Sequence, residues 1–500
     1  MRTLRGVLAG LLTAQAVAAV HVRLAAVAHF DRARALHDSG YIAVPSLAAI
    51  APLDGWGAAW CGGLFFTLTV GLGLTLLAVF AERLWRGPGV RSVPMCAGIA
   101  ALWIVVLALL NAGGFSPEAT AYGLLVPTAT VAAAGRLPEG RLGISRRAVA
   151  VHFFALLLLA GAGARCVDSA FFSGIRDHLL LSNPVGIAID QFYYRYTLLA
   201  AQAFKSLDQT LLKTCRIEAL SDDPAGRGRL AGRLARLDWL PVGEGHPADM
   251  EISGQGGVLS LARSGREILT VPTVDFLARP EPFLASFSTG ADRMAGLRWL
   301  AYASLTGGCL LALYGLLFFP GRWLIGRMPE ASGRPSAAVA SLAAAVAVGG
   351  GIALVCSPPW AREPGHPGGM GEAALRQLLT SGDPEKRIAA LAAVVRGRKE
   401  IAGLVDPASL VRSQDLRERI WLARALGVSR RPETFPVLTG LLDDPRLNVA
   451  YQACHALGMR GDPRGIPPLL ARIGRSGEWY VELYAYRAAR RLGWHPVPSG

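Results

Sequence analysis

The sequence has 500 residues, of which 52% are hydrophobic and only 17% are charged. Soluble proteins usually carry about a quarter charged residues, so this composition argues against a wholly soluble chain and predicts membrane spans. A net charge of +15 would ordinarily suggest a nucleic-acid partner. Residues 166–297, however, hold 13 Lys and Arg against 15 Asp and Glu, and most of the excess lies in short loops beside apolar segments, so we do not expect nucleic-acid binding.

Apolar segments near the length of about 20 residues that a bilayer core requires indicate the spans. We predict seven of them, near 6–28, 58–80, 95–112, 119–135, 148–164, 299–319 and 336–356. The first five form a membrane domain at 1–165, and the last two occupy 298–357. The N-terminal segment could instead be a signal peptide, because Arg2 and Arg5 precede its short apolar stretch.

Arginines in the short loops predict the orientation, since basic residues next to spans resist translocation. Loops 81–94, 136–147 and 320–335 each contain three or four arginines, whereas 113–118 contains neither Lys nor Arg. We therefore expect a multi-pass protein of a bacterial-type inner membrane with its N-terminus inside. The insert at 166–297 and the C-terminal domain would both be extracytoplasmic. The extracytoplasmic position of the C-terminal domain requires that both less apolar segments, 119–135 and 336–356, are spans, and it reverses if either is not.

The insert at 166–297 is predicted to be an α/β domain. It opens with an amphipathic helix at 187–212, whose apolar residues recur at steps of three and four. Its aromatic cluster at 192–196, FYYRY, either lies at the level of lipid headgroups or packs on its own domain. Strands are predicted around a helix near 225–236, at 214–220, 238–242, 249–253, 257–262 and 267–274. A disulfide between Cys166 and Cys215 is possible if this domain is periplasmic.

An internal repeat occupies residues 372–495, after a Pro/Gly linker at 358–371. Four similar helical segments are predicted to end at glycines spaced 30, 31 and 35 residues apart, namely Gly397, Gly427, Gly458 and Gly493. Asp383 and Asp444, each followed by proline, are predicted to cap two of these helices. Two helices in a period of this length are typical of an α-solenoid.

The pattern D-P-x-x-x-V-x-x-x-A-x-x-A-L-G, nearly intact at 444–458, resembles the short HEAT-like repeats of the phycobilisome-lyase type. The resemblance covers about a quarter of the chain. It implies an α-solenoid that binds a partner protein, and it implies no bilin chemistry. Aromatic residues are enriched at binding hot spots, so five of them are candidate partner-binding residues or, alternatively, solenoid core. These five are Trp421, Tyr451, Trp479, Tyr480 and Tyr484.

Motifs for known chemistry are missing from the sequence: it has no H-E-x-x-H, G-x-S-x-G or Walker pattern. We predict no catalytic residue, cofactor or metal site, and a mainly α protein that serves as a membrane-anchored interaction scaffold or assembly factor. A transport or export component is the first alternative. A membrane enzyme with an unrecognised site is the second, and its polar candidates are His152 and Asn111 in predicted spans.

Overall fold

The computed structural model describes residues 2–85, 93–134, 175–220, 224–308 and 371–498, with single positions between 156 and 161 and between 311 and 348. The chain is mainly helical and contains one small mixed sheet, which confirms the predicted fold class at this level. Apart from a few single positions, the predicted spans 148–164 and 336–356 and the linker 358–371 lie outside the described residues.

The N-terminal part is a helical bundle built around one long helix. Its helices are α1 (Arg2–Asp38), α2 (Leu47–Ile50), α3 (Trp56–Phe66), α4 (Leu72–Trp85), α5 (Val93–Leu110) and α6 (Pro117–Ala134), with a π-helical turn at Thr67–Gly71 joining α3 to α4. Small residues in α1 allow close packing: a Cβ added to Gly71 would lie 2.5 Å from the Cβ of Ala14, and one added to Gly6 would lie 2.8 Å from the carbonyl oxygen of Thr130. Such small-residue contacts are typical of membrane helix pairs.

Two helices are long and apolar enough to cross a membrane, Thr3–Asp38 and Trp56–Glu82. They contain the predicted spans 6–28 and 58–80. Helices α5 and α6 lie where spans 95–112 and 119–135 were predicted, but α5 contributes only the shorter apolar segment Ala100–Leu110, and α6 is made less apolar by its prolines, threonines and Glu118. The described residues therefore support two spans, and the predicted number of seven is not supported.

Helices α4 and α6 run antiparallel to α1. Near the start of α1, Gly10 faces Thr75 and Thr130, and further along the ring of His21 lies 6.1 Å from that of Tyr122. The turns that precede α3 and α6 consequently meet at one end of the bundle, where Arg23 pairs with Asp54. Helices α4 and α6 end at the opposite end of the bundle.

The insert contains a five-stranded sheet in the order β2-β1-β3-β4-β5. The strands lie within two residues of the predicted ones, at Lys213–Leu220, Trp239–Pro241, Met250–Gln255, Val258–Arg263 and Arg266–Pro272. Strand β1 is parallel to β2 and β3, and the last three strands form antiparallel pairs. The helices are α7 (Pro184–Phe204), α8 (Pro224–Arg236), α9 (Thr273–Ala278), α10 (Pro280–Gly290) and α11 (Ala295–Ala303).

Helix pairs fill the C-terminal part. The helices are α12 (Glu372–Leu379), α13 (Pro384–Arg396), α14 (Pro407–Val411), α15 (Leu416–Val428), α16 (Thr434–Gly440), α17 (Leu447–Arg460), α18 (Ile466–Arg475) and α19 (Trp479–Arg491). Below, "first helices" are α13, α15, α17 and α19, and "second helices" are α14, α16 and α18. The first helices pack side by side, and ion pairs join successive repeats: Arg387 to Glu418 and Arg419 to Asp444.

The repeat glycines have two different roles. Gly397 caps α13 and Gly493 follows α19 with a φ of 95°, but Gly427 and Gly458 lie inside their helices. A Cβ at Gly427 would lie 2.8 Å from the Cβ of Ala456, and one at Gly458 would lie 3.0 Å from that of Ala488, so close helix packing explains these two glycines. Helix α17 actually ends at Gly461, whose φ is 73°.

The predicted aspartate caps also differ from each other. The carboxylate of Asp383 accepts a hydrogen bond from the backbone N–H of Glu385 at 3.0 Å and so caps α13. Asp444 precedes the N-cap residue of α17, Arg446, and its carboxylate accepts the N–H of that residue at 2.8 Å. Asp444 therefore orders the turn before the helix rather than the first helical position.

Candidate functional site at the junction of the repeats and the insert

The five candidate aromatics form a row across the first helices, with Trp421 on α15, Tyr451 on α17 and the other three on α19. We call these five residues the aromatic row. The Tyr451 ring lies 4.9 Å from that of Tyr480 and 5.0 Å from that of Tyr484, distances at which aromatic pairs attract. Residues that are 29 to 33 positions apart in the sequence thus share one surface because the solenoid stacks its repeats.

Helix α7 of the insert occupies this surface. The hydroxyl of Tyr194 lies 3.2 Å from the hydroxyl of Tyr451, and its ring lies 4.5 Å from that of Tyr480. Trp479 Nε1 donates a hydrogen bond of 2.6 Å to the backbone carbonyl of Tyr194. Tyr194 is only 9% exposed as a result. The aromatic row therefore contacts this chain's own helix, and its predicted role in binding another protein stays a prediction.

The FYYRY cluster divides between two environments, because successive helical positions point in different directions. Tyr194 is buried against the repeats, whereas Phe192 and Tyr193 remain 41% and 55% exposed. The cluster was predicted either to lie at the level of lipid headgroups or to pack on its own domain. Tyr194 does pack inside the protein, but against the repeats and not against the insert.

Two polar contacts, one on α15 and one on α17, extend the same interface. Trp421 Nε1 donates to the carboxylate of Asp177 at 3.0 Å, and Asn448 Nδ2 donates to the carboxylate of Asp190 at 3.1 Å. Burial raises the pKa of Asp190, while the hydrogen bond from Asn448 and the charge of Arg176 oppose that rise. Each indole or amide donor thus has a partner, as buried polar groups require.

A second contact joins α19 to the residue that follows α8. The Tyr486 hydroxyl donates to the Asp238 carboxylate at 2.6 Å, and Arg490 Nε lies 3.0 Å from the same oxygen. Arg490 also donates to the backbone carbonyl of Arg236 at 2.7 Å. Because Asp238 precedes strand β2, this contact couples the last repeat directly to the sheet.

A third contact joins α19 to the segment between α1 and α2. The buried carboxylate of Glu482 accepts the backbone N–H of Ser46 at 2.6 Å and the Ser46 hydroxyl at 2.8 Å. Ser46 is the N-cap residue of α2, so Glu482 binds at the start of that helix. The repeats therefore contact the N-terminal bundle as well as the insert.

The insert has its own ion pair with α1. Arg32 donates to both carboxylate oxygens of Asp249, at 2.9 and 2.6 Å, and Asp249 also accepts the backbone N–H of Thr214 at 3.0 Å. Burial alone would raise the pKa of Asp249, but the charge and hydrogen bonds of Arg32 and the N–H of Thr214 hold it below its usual value. This carboxylate is thus ionised and fully paired between α1 and the sheet.

Glu482 makes the attachment of the repeats sensitive to pH. Burial is the largest influence on this group and raises its pKa from 4.5 to about 7, against the opposing effect of the Ser46 donors. A raised carboxyl pKa means that the folded protein holds the proton more tightly than the unfolded chain, so the stabilisation is complete below about pH 4.5 and is lost as the pH rises through 7. We expect the free energy of unfolding to fall by up to about 3 kcal/mol between pH 4.5 and pH 8 from this group.

The measurement is the thermal midpoint of the detergent-solubilised protein across that pH range. Glu482→Gln should flatten the pH dependence, whereas Glu372→Gln, at an exposed position on α12, should leave it unchanged. An equally steep profile in Glu482→Gln and the wild type would contradict the assignment of the titration to Glu482.

Sequence reasoning missed most of the residues that join the repeats to the rest of the chain, namely Asp177, Asp190, Tyr194, Asp238, Ser46 and Glu482. Only the FYYRY cluster offered a signal for any of them.

Asn111, one of the two polar candidates in the predicted spans, has a structural role. Its amide donates to the carbonyl of Leu107 at 3.0 Å and its side-chain oxygen accepts the N–H of Ser116 at 2.8 Å, which orders the turn before α6. His152 lies outside the described residues.

Cys215 is a fully buried free thiol in β1. Burial raises its pKa, which disfavours the reactive thiolate. Its predicted disulfide partner, Cys166, lies outside the described residues, so the pairing stays a prediction.

Among the residues that the structure describes, no group of three or more His, Cys, Asp and Glu side chains could hold a metal ion. The junction is thus built from buried aromatic rings, ion pairs and satisfied donors, which is the composition of a protein interface.

A family model for HEAT repeats matches residues 408–490, which include α14 to α18 and nearly all of α19. This match confirms HEAT-like repeats in that part of the chain. It covers α15, α17 and α19, the three first helices that carry the whole aromatic row. No curated protein matches the chain. No solved structure matches it either.

Proposed function

We propose that this protein is a membrane-anchored protein-interaction scaffold or assembly factor, whose HEAT-like repeats bind a partner protein. HEAT repeats generally mediate contacts between proteins. The observation that carries the proposal is the docking of the aromatic row onto α7. It holds the repeats against the insert and the bundle, so that a partner would meet one continuous extramembrane platform.

The surface of the N-terminal bundle supports membrane anchoring. Large apolar side chains point outward from several of its helices, among them Leu12 and Leu68, which are 66% and 65% exposed, and Ile104, which is 66% exposed. A soluble helical bundle would bury such residues, and apolar patches of this extent mark contact with lipid or protein. Exposed aromatic side chains, including Trp56 at 61% and Trp299 at 75%, lie at the end of the bundle next to the insert. In the proposed arrangement, lipid headgroups would surround this end, and such aromatic residues are enriched at that level of a membrane.

The same geometry supports the proposed orientation in a bacterial-type inner membrane. The insert and repeats lie at the end of the bundle opposite to the C-terminal ends of α4 and α6, near which the sequence contains the Arg-rich segments 81–94 and 136–147. Basic loops favour the cytoplasmic side, so insert and repeats would both be extracytoplasmic. The proposal includes seven spans, with 148–164, 299–319 and 336–356 completing the set.

Reporter fusions at residues 140, 250 and 480 test this arrangement. We expect a cytoplasmic reporter to be active only at 140 and an extracytoplasmic reporter only at 250 and 480. Because the aromatic row of the repeats contacts α7 of the insert, fusions at 250 and 480 must report the same side. Opposite sides for these two positions would refute the docked platform as the working form of the protein.

Site-specific photocrosslinking tests the partner-binding role. The outward faces of the second helices are the free surface of the repeats, with exposed positions at Ala408 on α14, Gly440 on α16 and Ala471 on α18. We expect crosslinkers at these three positions to trap the same protein in intact cells. Val274, 78% exposed on the insert, is the control position and should not trap it. If the three repeat positions trap nothing and reconstituted protein transports a solute, the alternative of a transport component replaces this proposal.

A further inference from the structure

A cavity of about 210 Å³ lies where α1, α7 and α19 meet. Its lining includes four basic side chains, His29, Arg32, Lys205 and Arg487, and no carboxylate. The rest of the wall is largely apolar. A cavity that concentrates positive charge beside apolar surface is complementary to an anion with an organic portion.

Two of these cations have no counter-ion among the described residues. Arg32 is paired with Asp249, but neither Lys205 nor Arg487 forms an ion pair in the part of the chain that the structure describes. Burial lowers the pKa of Lys205, and the nearby positive charge of Arg487 lowers it further. Lys205 is half-buried, whereas Arg487 is exposed. Keeping the charge of Lys205 half-buried beside a second positive charge costs free energy, and a bound anion would offset that cost.

An unpartnered histidine supplies an independent observation. His29 lines the same cavity and is only 6% exposed, yet neither of its ring nitrogens has a hydrogen-bond partner. Buried polar atoms nearly always have a partner in native proteins, so an unsatisfied imidazole at a cavity wall indicates a missing one. A ligand oxygen in the cavity would accept the hydrogen bond that this ring can donate.

We propose that this cavity binds a phosphate-bearing anion, held by Lys205, Arg487 and His29. A phosphate group offers several oxygens to several donors at once and carries the charge that two unpaired cations require. Tyr193, which lines the cavity and is 55% exposed, places the opening beside the exposed aromatic side of α7. The phosphate can therefore come from the headgroup of an anionic lipid or from a soluble phosphate compound, and the assignment does not depend on the scaffold role proposed above.

The test compares the full-length wild-type protein with the double variant Lys205→Gln/Arg487→Gln. Binding is measured in two settings: thermal stability in detergent with added inorganic phosphate or glycerol 3-phosphate, and native mass spectrometry after reconstitution in phosphatidylcholine nanodiscs with and without phosphatidylglycerol. Two lost charge-assisted hydrogen bonds should weaken binding by about tenfold or more. Without any phosphate compound, the double variant should be at least as stable as the wild type, because two repelling charges are removed.

Arg195→Gln is the matched control, since Arg195 is an exposed arginine on α7, the helix that Lys205 follows, and it does not line the cavity. Stabilisation of the wild type and the control by soluble phosphate, with none in the double variant, identifies a soluble ligand. Retention of phosphatidylglycerol by the wild type and the control alone identifies a lipid headgroup. The proposal is overturned if the double variant responds like the wild type, or if the wild type responds to none of the probes.

Discussion

Arg32→Ala is expected to lower the free energy of unfolding of the insert by about 3–5 kcal/mol, because it leaves the carboxylate of Asp249 buried without its counter-charge. The side chains of Arg32 and Asp249 are only 19% and 7% exposed, so water cannot replace the lost partner. The pair also joins α1 to the sheet, and the variant should therefore loosen the insert from the bundle. Faster proteolysis of residues 224–290 in detergent, together with a lower thermal midpoint, would report this release.

A double-mutant cycle separates the pair from its surroundings. Arg32→Met and Asp249→Asn should each be destabilising by themselves, and the double variant Arg32→Met/Asp249→Asn should recover part of the loss, since no unpaired buried charge remains. Arg34→Ala is the control, because Arg34 is an exposed arginine two positions further along α1. Equal losses in Arg32→Ala and Arg34→Ala would show that the Asp249 contact is not what holds the insert.

Tyr194→Ala is expected to detach the repeats from α7, at a cost of about 3–5 kcal/mol, the range for truncating a buried aromatic side chain. The variant loses the ring contact with Tyr480 and the hydroxyl pair with Tyr451. The Trp479 hydrogen bond ends on a backbone carbonyl, so the substitution does not remove it directly. Hydrogen exchange of the full-length protein should show lost protection in α7 and along the aromatic row, while the cores of the individual repeats stay protected.

Tyr193→Ala provides a control of the same residue type on the adjacent position. Because Tyr193 is 55% exposed, its truncation should change the free energy of unfolding by less than about 1 kcal/mol and leave the exchange pattern intact. If both tyrosine variants keep full protection along the aromatic row, the docking does not depend on Tyr194.

The three attachments of the repeats differ in what would break them. The Tyr194 contact depends on packing and is independent of charge, the Asp238 contact includes the ion pair with Arg490, and the Ser46 contact depends on the protonation of Glu482. A rise in pH therefore weakens the third attachment selectively. All three involve α19, and Trp421 on α15 and Asn448 on α17 add contacts from the two preceding repeats.

Local pattern explains why the elements themselves were predictable. The alternation in 249–274 sets the strands to within two residues, because side-chain direction in a strand has a period of two. The repeat period likewise identified the first helices, and the match to HEAT repeats at 408–490 agrees with it. The roles of two glycines were predicted wrongly. Gly427 and Gly458 do not end their helices but allow the next helix to pack closely, and the sequence of a single repeat does not show how closely its neighbour approaches.

Buried polar residues in the bundle were missed for a related reason. Gln15 lies in the middle of α1, where its amide donates to the carbonyl of Trp60 at 2.7 Å and its oxygen accepts from Thr67 at 2.6 Å. In the sequence it is one polar residue in an apolar stretch. Only the neighbouring helix, 45 to 52 positions away, supplies the partners that make its burial favourable.

The sequence by itself determined the mainly helical class, the strands of the insert and the repeats. Each of these follows from the spacing of apolar residues within a short segment, which can be read from that segment alone. Only the tertiary structure shows which surface the aromatic row of the repeats contacts. The aromatics of α15, α17 and α19 looked like a surface for another protein, but they receive α7 of the same chain through contacts between residues more than 240 positions apart. Pairings of that separation depend on how two folded surfaces fit together, and no local period encodes that fit.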